Sequence, residues 1–314
     1  MNLLASLRYL VALNEHRHFG RAAQACHITQ PALSNALRAL EQEFGTSIVK
    51  RGRAYAGLTP EGERVLATAQ RMLHEREVLQ QELDSAAGQP QGALSLGAVP
   101  TAMPIVARFA AMLHARHPGI SPVVRSMSSP EIEMGLDNLS LDIGLGYSDR
   151  LGTHGTRLSA LPQYTEHYYL VRRHGRADTL AMRRGEPMHW HDAALLPLCL
   201  LTPEMHNRTI VDSAFALAGV EVKPVMETNS MLTLALSVVA GAVCSILPGA
   251  VVAAVRSYRE LEALPLISPE VQTPIGFIMA ATERTSRTLE AALALAGEEQ
   301  WLRHAAAHSG SLEL

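Results

Sequence analysis

At 314 residues the chain is long enough for two or three domains that each bury a core. Its composition, 47% hydrophobic and 18% charged, is that of a soluble globular protein and excludes a disordered or fibrous one. The net charge of −3 hides a division: residues 1–60 carry seven basic against three acidic side chains, and residues 61–87 carry three against six. A basic N-terminal segment on an acidic chain fits a nucleic-acid contact confined to one end. Cys26, Cys199 and Cys244 lie scattered in apolar stretches, without CxxC or metal spacing, as free thiols of a reducing compartment do. Met1-Asn2-Leu3-Leu4 lacks the basic opening of a signal peptide, so a cytoplasmic location is expected.

Residues 3–14 read as a first helix, with Leu3, Leu7, Leu10 and Val11 as its apolar stripe. Gly20 to Glu43 reads as two helices with a tight turn between them. Small apolar residues Ala22, Ala23 and Cys26 mark the first. The second opens at the polar cap Thr29 with Pro31 in its first turn. Leu33, Leu37 and Leu40 give its buried face, and Gln30, Ser34, Asn35 and Arg38 the opposite one. Those polar side chains suit phosphate oxygens and base edges, so the pattern is a helix-turn-helix with a reading helix. Phe44 and Gly45 end the helix. Residues 46–58 read as strand, turn and strand, with Lys50-Arg51-Gly52-Arg53 at a tip suited to the DNA backbone or minor groove. Thr59-Pro60-Glu61 caps a long helix running to about residue 87, with an apolar stripe of Val65, Leu66, Ala69, Met72, Leu73, Val78, Leu79 and Leu83. A stripe that wide suits packing against a second copy. Gly88 to Gly92 is a polar breaker and a domain boundary.

These ninety residues resemble the N-terminal domain of the LysR-type transcriptional regulators. The resemblance rests on Leu7-Arg8-Tyr9-Leu10, Phe19, Ala22-Ala23, Gln30-Pro31-Ala32-Leu33-Ser34, Leu40-Glu41, Phe44-Gly45 and Leu58-Thr59-Pro60-Glu61-Gly62. Cys26 and Ile48-Val49 depart from the family's usual leucines and Leu-Phe. The resemblance implies a winged helix-turn-helix over 1–58, a dimerisation helix over 59–88, and DNA contacts from Thr29, Gln30, Pro31, Ser34, Asn35, Arg38, Arg51 and Arg53. Of these, Ser34, Asn35 and Arg38 are expected on bases, and Gln30, Arg51 and Arg53 on or near the backbone. Val65, Leu66, Ala69, Met72, Leu73 and Leu79 are the expected dimer contacts. A homodimer or homotetramer acting with RNA polymerase is implied.

From Ala93 strand and helix patterns alternate, with strands expected at Leu94–Val99, Val123–Arg125 and Leu141–Leu145, which argues a mostly parallel α/β sheet. A first lobe closes near Leu161-Pro162. A second is expected to hold strands at Glu166–Arg172, Leu195–Leu201, Val222–Glu227 and Val243–Leu247, and helices from Thr209 and Asn229. The chain crosses back near Pro265–Pro274, and a strand at Ile275–Ala280 and a helix from Thr285 to about Arg303 close the fold, leaving 306–314 as a tail. The two lobes, about 93–162 with 270–305 and about 163–268, resemble the periplasmic-binding-protein-like effector domain that LysR-type regulators carry. The uncharged run Met231–Val255 is long enough to span a bilayer, but Gly241, Pro248 and Gly249 divide it into pieces of helix and strand length, so no membrane partner is expected.

Ligands of open α/β sheets bind beyond the carboxyl ends of strands. That rule picks Thr101, Ser128 and Ser129 in the first lobe, and Thr202 and Asn229 in the second. Hydroxyls at helix N-termini suggest a small anion. His189-Trp190-His191-Asp192 has a metal look without a third or fourth placed ligand, so no metal and no cofactor beyond the small effector is expected. No GxSxG, Walker loop or GxGxxG after a strand occurs. The expected function is an effector-modulated, sequence-specific DNA-binding regulator that is not an enzyme. The alternative is a solute-binding protein or enzyme with an accessory DNA module.

Overall fold

The computed structural model describes residues 2–50, 52, 55–85, 89–149, 158–174, 181–281 and 285–309. The chain separates into two compact units, one built on residues 1–88 and one on 89–137 and 141–314. The first is helical: α1 Leu3–His16, α2 Phe19–Ala25, α3 Gln30–Phe44 and α4 Pro60–Asp84. Local chemistry sets each boundary. Asn2, His18, Thr29 and Thr59 cap the four N-termini with their side chains. Gly45 closes α3 at φ 63°, the left-handed conformation that glycine adopts without penalty. Leu7, Leu10, Leu13, Ala22, Ala23, Leu33, Leu37, Leu40, Ile48 and Leu58 share one core, so the helices bury the faces their spacing marks. Of the expected pair of wing strands, the described residues form one bridge between Val49 and Leu58, with the Lys50 N–H donating to the Gly57 carbonyl. Arg51 and Arg53 lie outside the described residues.

The second unit is an eleven-stranded mixed sheet in two lobes. Lobe I holds β1 Gly92–Ala98, β2 Ile120–Ser126 and β3 Ile143–Tyr147, in parallel. Around them lie a 3-10 turn at Pro100–Ala102, α5 Met103–Arg116 and α6 Ser129–Asp137. The strand β4 Leu158–Arg173 then runs through both lobes, where the sequence suggests a break at Pro162. Pro162 is accommodated by a register shift opposite Ile275 and Gly276. Lobe II follows with short strands β5 Arg183–Arg184 and β6 Met188–His189, α7 Trp190–Ala193, β7 Leu198–Leu201, α8 His206–Leu217, β8 Met226–Thr228, α9 Met231–Ala240, β9 Cys244–Pro248, α10 Gly249–Ala254 and β10 Leu261–Ile267. The chain returns through β11 Gln272–Ala280 to α11 Arg287–Ala296 and α12 Glu299–Ala307.

Several expected boundaries shift. Leu195 is 78% exposed and precedes β7 instead of belonging to it. β8 keeps only the end of the expected Val222–Glu227 strand. α8 begins three residues before Thr209, and α9 is capped by Ser230, not opened by Asn229. Where a crossing is expected from Pro265, β10 pairs with β4 through Pro265, and the crossing is confined to 268–271. The single closing helix is two, separated at Gly297. No helix among the described residues is long and apolar enough to cross a membrane.

Candidate functional site

The DNA-reading candidates sit on α3. Leu33, Leu37 and Leu40 pin the helix to the core, which leaves Thr29, Gln30, Pro31, Asn35 and Arg38 exposed and Ser34 half-buried. Thr29 Oγ1 accepts the Ala32 N–H at 3.4 Å, so its side chain caps the helix from the exposed end. Glu41, one turn beyond Arg38, accepts the backbone N–H groups of Ile48 (2.8 Å) and Val49 (3.1 Å). This carboxylate locks the following loop to the reading helix, a positioning role the residue pattern alone does not mark. Tyr55 anchors the other side: its hydroxyl donates to Asn14 Oδ1 at 3.3 Å and its ring meets the Phe19 edge at 6.3 Å. Gly62 explains the Leu-Thr-Pro-Glu-Gly run. A Cβ there would lie 2.1 Å from the Ile48 carbonyl oxygen, so only glycine lets α4 start against that loop.

The expected dimer contacts divide between two faces of α4. Ala69 is fully buried in its own unit's core, and Val65 and Leu66 pack against the same core. Ala69 is thereby corrected from a dimer contact to internal packing, while Val65 and Leu66 stay half-buried at the edge of that core. Leu73 is half-buried in a groove beside Leu4 and Arg8 of α1. Met72 and Leu79 are exposed, as is Leu83, a stripe at i, i+7 and i+11.

The second candidate site is the cleft between the lobes. Thr101, Ser128 and Ser129 from lobe I meet Leu201, Met205, His206 and Asn207 from lobe II. Tyr147, at the carboxyl end of β3, spans the gap: its hydroxyl shares a 3.2 Å hydrogen bond with Thr101 Oγ1, and its ring stacks edge-on to His206 at 4.7 Å. Asn207 donates to the Tyr168 hydroxyl at 3.3 Å, and that hydroxyl also bonds Thr273. The cleft is nearly closed, with room for no more than about one water molecule. Thr202 and Asn229 stay outside it. Thr202 instead donates to Glu204 at 2.6 Å, which holds that carboxyl below the usual range, and Asn229 is solvent-exposed.

Beneath the cleft, Tyr164, Glu166 and Tyr168 share one face of β4. Glu166 is fully buried, and neither its carboxylate oxygens nor the Tyr164 hydroxyl has a hydrogen-bond partner of proper geometry. Burial pushes the Glu166 carboxyl up to about 8, offset only in part by the Tyr164 hydroxyl beside it. Burial, and then the Glu166 charge, drive the phenols of Tyr147, Tyr164 and Tyr168 far above their ordinary range. Tyr147, His206, Asn207 and Glu166 are missed by sequence reasoning. Tyr147 obeys the strand-end rule that selects Thr101, whereas His206 and Asn207 are hidden by the misplaced start of α8. The metal-like run separates: Trp190 is buried with its Nε1 donating to the Pro269 carbonyl, and no group of three or more metal-ligating side chains occurs among the described residues.

Both halves of the chain match known proteins. Residues 4–63 match the model of the bacterial regulatory helix-turn-helix proteins of the lysR family, and residues 87–301 match that of the LysR substrate binding domain. The DNA-binding transcriptional dual regulator OxyR of Escherichia coli K12 is 28% identical over 284 residues, 88% of each chain. A probable hydrogen peroxide-inducible genes activator of Streptomyces viridosporus is 35% identical over 169 residues, 54% of this chain and 53% of that one. The solved structure of a full-length OxyR variant from Pseudomonas aeruginosa superposes with a TM-score of 0.65 at 25% identity, covering 92% of this chain and 95% of that one. With both halves matched by the family's models, the chain belongs to the LysR family of bacterial regulators.

Proposed function

We propose that this LysR-type regulator binds double-stranded DNA through α3 as a homodimer or homotetramer, and that a small molecule in the interlobe cleft sets its operator binding or bending. The observation that carries the reading is a capped, rigidly packed helix with an exposed Gln30–Arg38 face on the same chain as a two-lobed cleft. Two copies of that face suit successive major grooves of an interrupted palindrome. A relative of the same fold, CbnR, at 21% identity, has been solved with its target DNA, which supports the DNA-bound state. Effector occupation of the cleft favours one arrangement of the lobes and so shifts the DNA-bound equilibrium. The regulator names of the relatives support a role in transcription, and the reading extends to a cytoplasmic protein that works with RNA polymerase, needs no cofactor and is not an enzyme.

The test is a genome-wide map of sites bound by the purified protein, with a footprint at the best one. The expected result is an interrupted palindrome beside a divergent operon. Arg38→Ala should weaken that site by about 1–3 kcal/mol and relax base preference at one position, if the guanidinium reads a guanine. Uniform weakening on all sequences would make Arg38 a phosphate contact. Absence of any enriched site, with or without small-molecule extract, would overturn the reading.

A further inference from the structure

We propose that the effector binds through a protonated amine, with Glu166 as its buried counter-charge; this rests on the cleft being the effector site. Buried polar groups in folded proteins are paired, so orphaned ones mark what is missing from a site. Among the described residues the buried side-chain atoms without a hydrogen bond of proper geometry are Ser129 Oγ, Tyr164 Oη and the two carboxylate oxygens of Glu166, the last two residues lying beside each other. All four lie at or beneath this cleft. Ser129 lines it directly, and Glu166 lies two residues along β4 from Tyr168, whose hydroxyl accepts from the cleft residue Asn207 at 3.3 Å. An ionised carboxylate accepts hydrogen bonds and donates none, while hydroxyls do either. Once Glu166 gives up its proton, the complement of this set is a donor with positive charge, and an ammonium supplies three N–H groups.

The charges around the cleft point the same way. Among the described residues no lysine or arginine lines it. Arg208, on the helix that does, is engaged with Asp212 (2.8 Å), Glu227 (2.6 Å) and the Leu201 carbonyl (2.6 Å). The N-terminus of α6, which the sequence offers to an anion, already holds one. Glu131 Oε2 accepts from both the Ser128 N–H and the Ser128 hydroxyl at 2.7 Å. Glu204 likewise holds Thr202. The N-terminus of α8, which has no side-chain cap, suits an uncharged or anionic oxygen elsewhere on the same effector.

Proton balance gives the proposal a signature. Near neutral pH the Glu166 carboxyl holds its proton, so an ammonium that pairs with it must expel that proton to solvent. Amine affinity should then climb by up to about tenfold per pH unit toward pH 8. The other titratable groups facing Glu166 are Tyr147, Tyr164 and Tyr168, which stay protonated throughout, with His206 stacked on Tyr147.

The experiment uses the full-length protein with propylamine and propionate as probes, followed by ligand-observed NMR and by operator footprinting from pH 6 to 9. The expected result is at least tenfold tighter binding of propylamine than propionate, strengthening as pH rises. Glu166→Gln, with folding checked by its melting curve, should lose that preference and the pH dependence. Ser129→Ala should weaken the amine without altering its pH slope. Equal or tighter propionate binding, a falling pH slope, an unchanged Glu166→Gln profile, or binding of neither probe would overturn the proposal. If the operator is protected and responds to propionate, the regulator reading stands while this one fails; if no operator is protected, the regulator reading itself fails.

Discussion

Glu166 is a buried acid whose cost depends on pH. Its folded carboxyl titrates near 8, above the 4.5 of an exposed glutamate, because burial penalises the charged form. The folded state therefore keeps a proton that the unfolded chain gives up between these values. Stability from that proton is fully present below about pH 4.5 and is lost as pH rises through 8. At roughly 1.4 kcal/mol per unit, the upper bound on the loss is about 5 kcal/mol. Glu166→Gln keeps the shape and removes the ionisation. Thermal melting of the two proteins should agree at pH 4, and at pH 9 the glutamine variant should be more stable by a few kcal/mol. A less stable variant at pH 9 would mean that the ionised Glu166 is already paired with a cation.

At the scale of elements, α4 separates two roles that the sequence shows as one wide stripe. Val65, Leu66 and Ala69 turn inward, while Met72, Leu79 and Leu83 remain exposed at coiled-coil spacing. Leu79→Glu places a charge where two copies would meet. With about 1.5–3 kcal/mol lost for each buried leucine, and one from each copy, dimer dissociation should strengthen at least about hundredfold. Sedimentation velocity should then show the 34.0 kDa monomer, and an unchanged dimer would remove this face from the interface. What was legible follows the range of the forces. The helices of the first unit are set by caps and periodicity within a few residues, so α1 to α4 could be read directly. Pro162 and Pro265 look like strand ends, yet both sit inside strands, because pairing to β11 and β4 decides and a proline survives where no ladder N–H is needed. The cleft was half legible: Thr101, Ser128 and Ser129 follow the strand-end rule, but their meeting with His206 and Asn207 is a property of two lobes facing each other.

For the whole molecule, several relatives are named as hydrogen peroxide-inducible genes activators, but the thiols of this chain do not suit a peroxide signal. Peroxide reacts with the thiolate, and selectively where the thiolate is stabilised and exposed. Here burial raises the thiols of Cys26, Cys199 and Cys244 alike; Arg8 offsets this in part at Cys26 and Arg172 at Cys244. At neutral pH that holds each of them mainly in the unreactive thiol form. A disulfide between Cys199 and Cys244 is closed off by the sheet. Cys199 pairs in register with Ser245 and Cys244 with Leu198, so the two cysteines point to opposite faces of adjacent strands. Cys199 accordingly packs among Val171 and Leu247, and Cys244 among Trp190 and Ile246. Operator affinity of the purified protein should therefore be unchanged by micromolar hydrogen peroxide, and a Cys26→Ser, Cys199→Ser, Cys244→Ser protein should keep its footprint and effector response. A peroxide-dependent footprint lost in the triple variant would show instead that a thiol of this chain is exposed by a lobe movement larger than the closed cleft suggests.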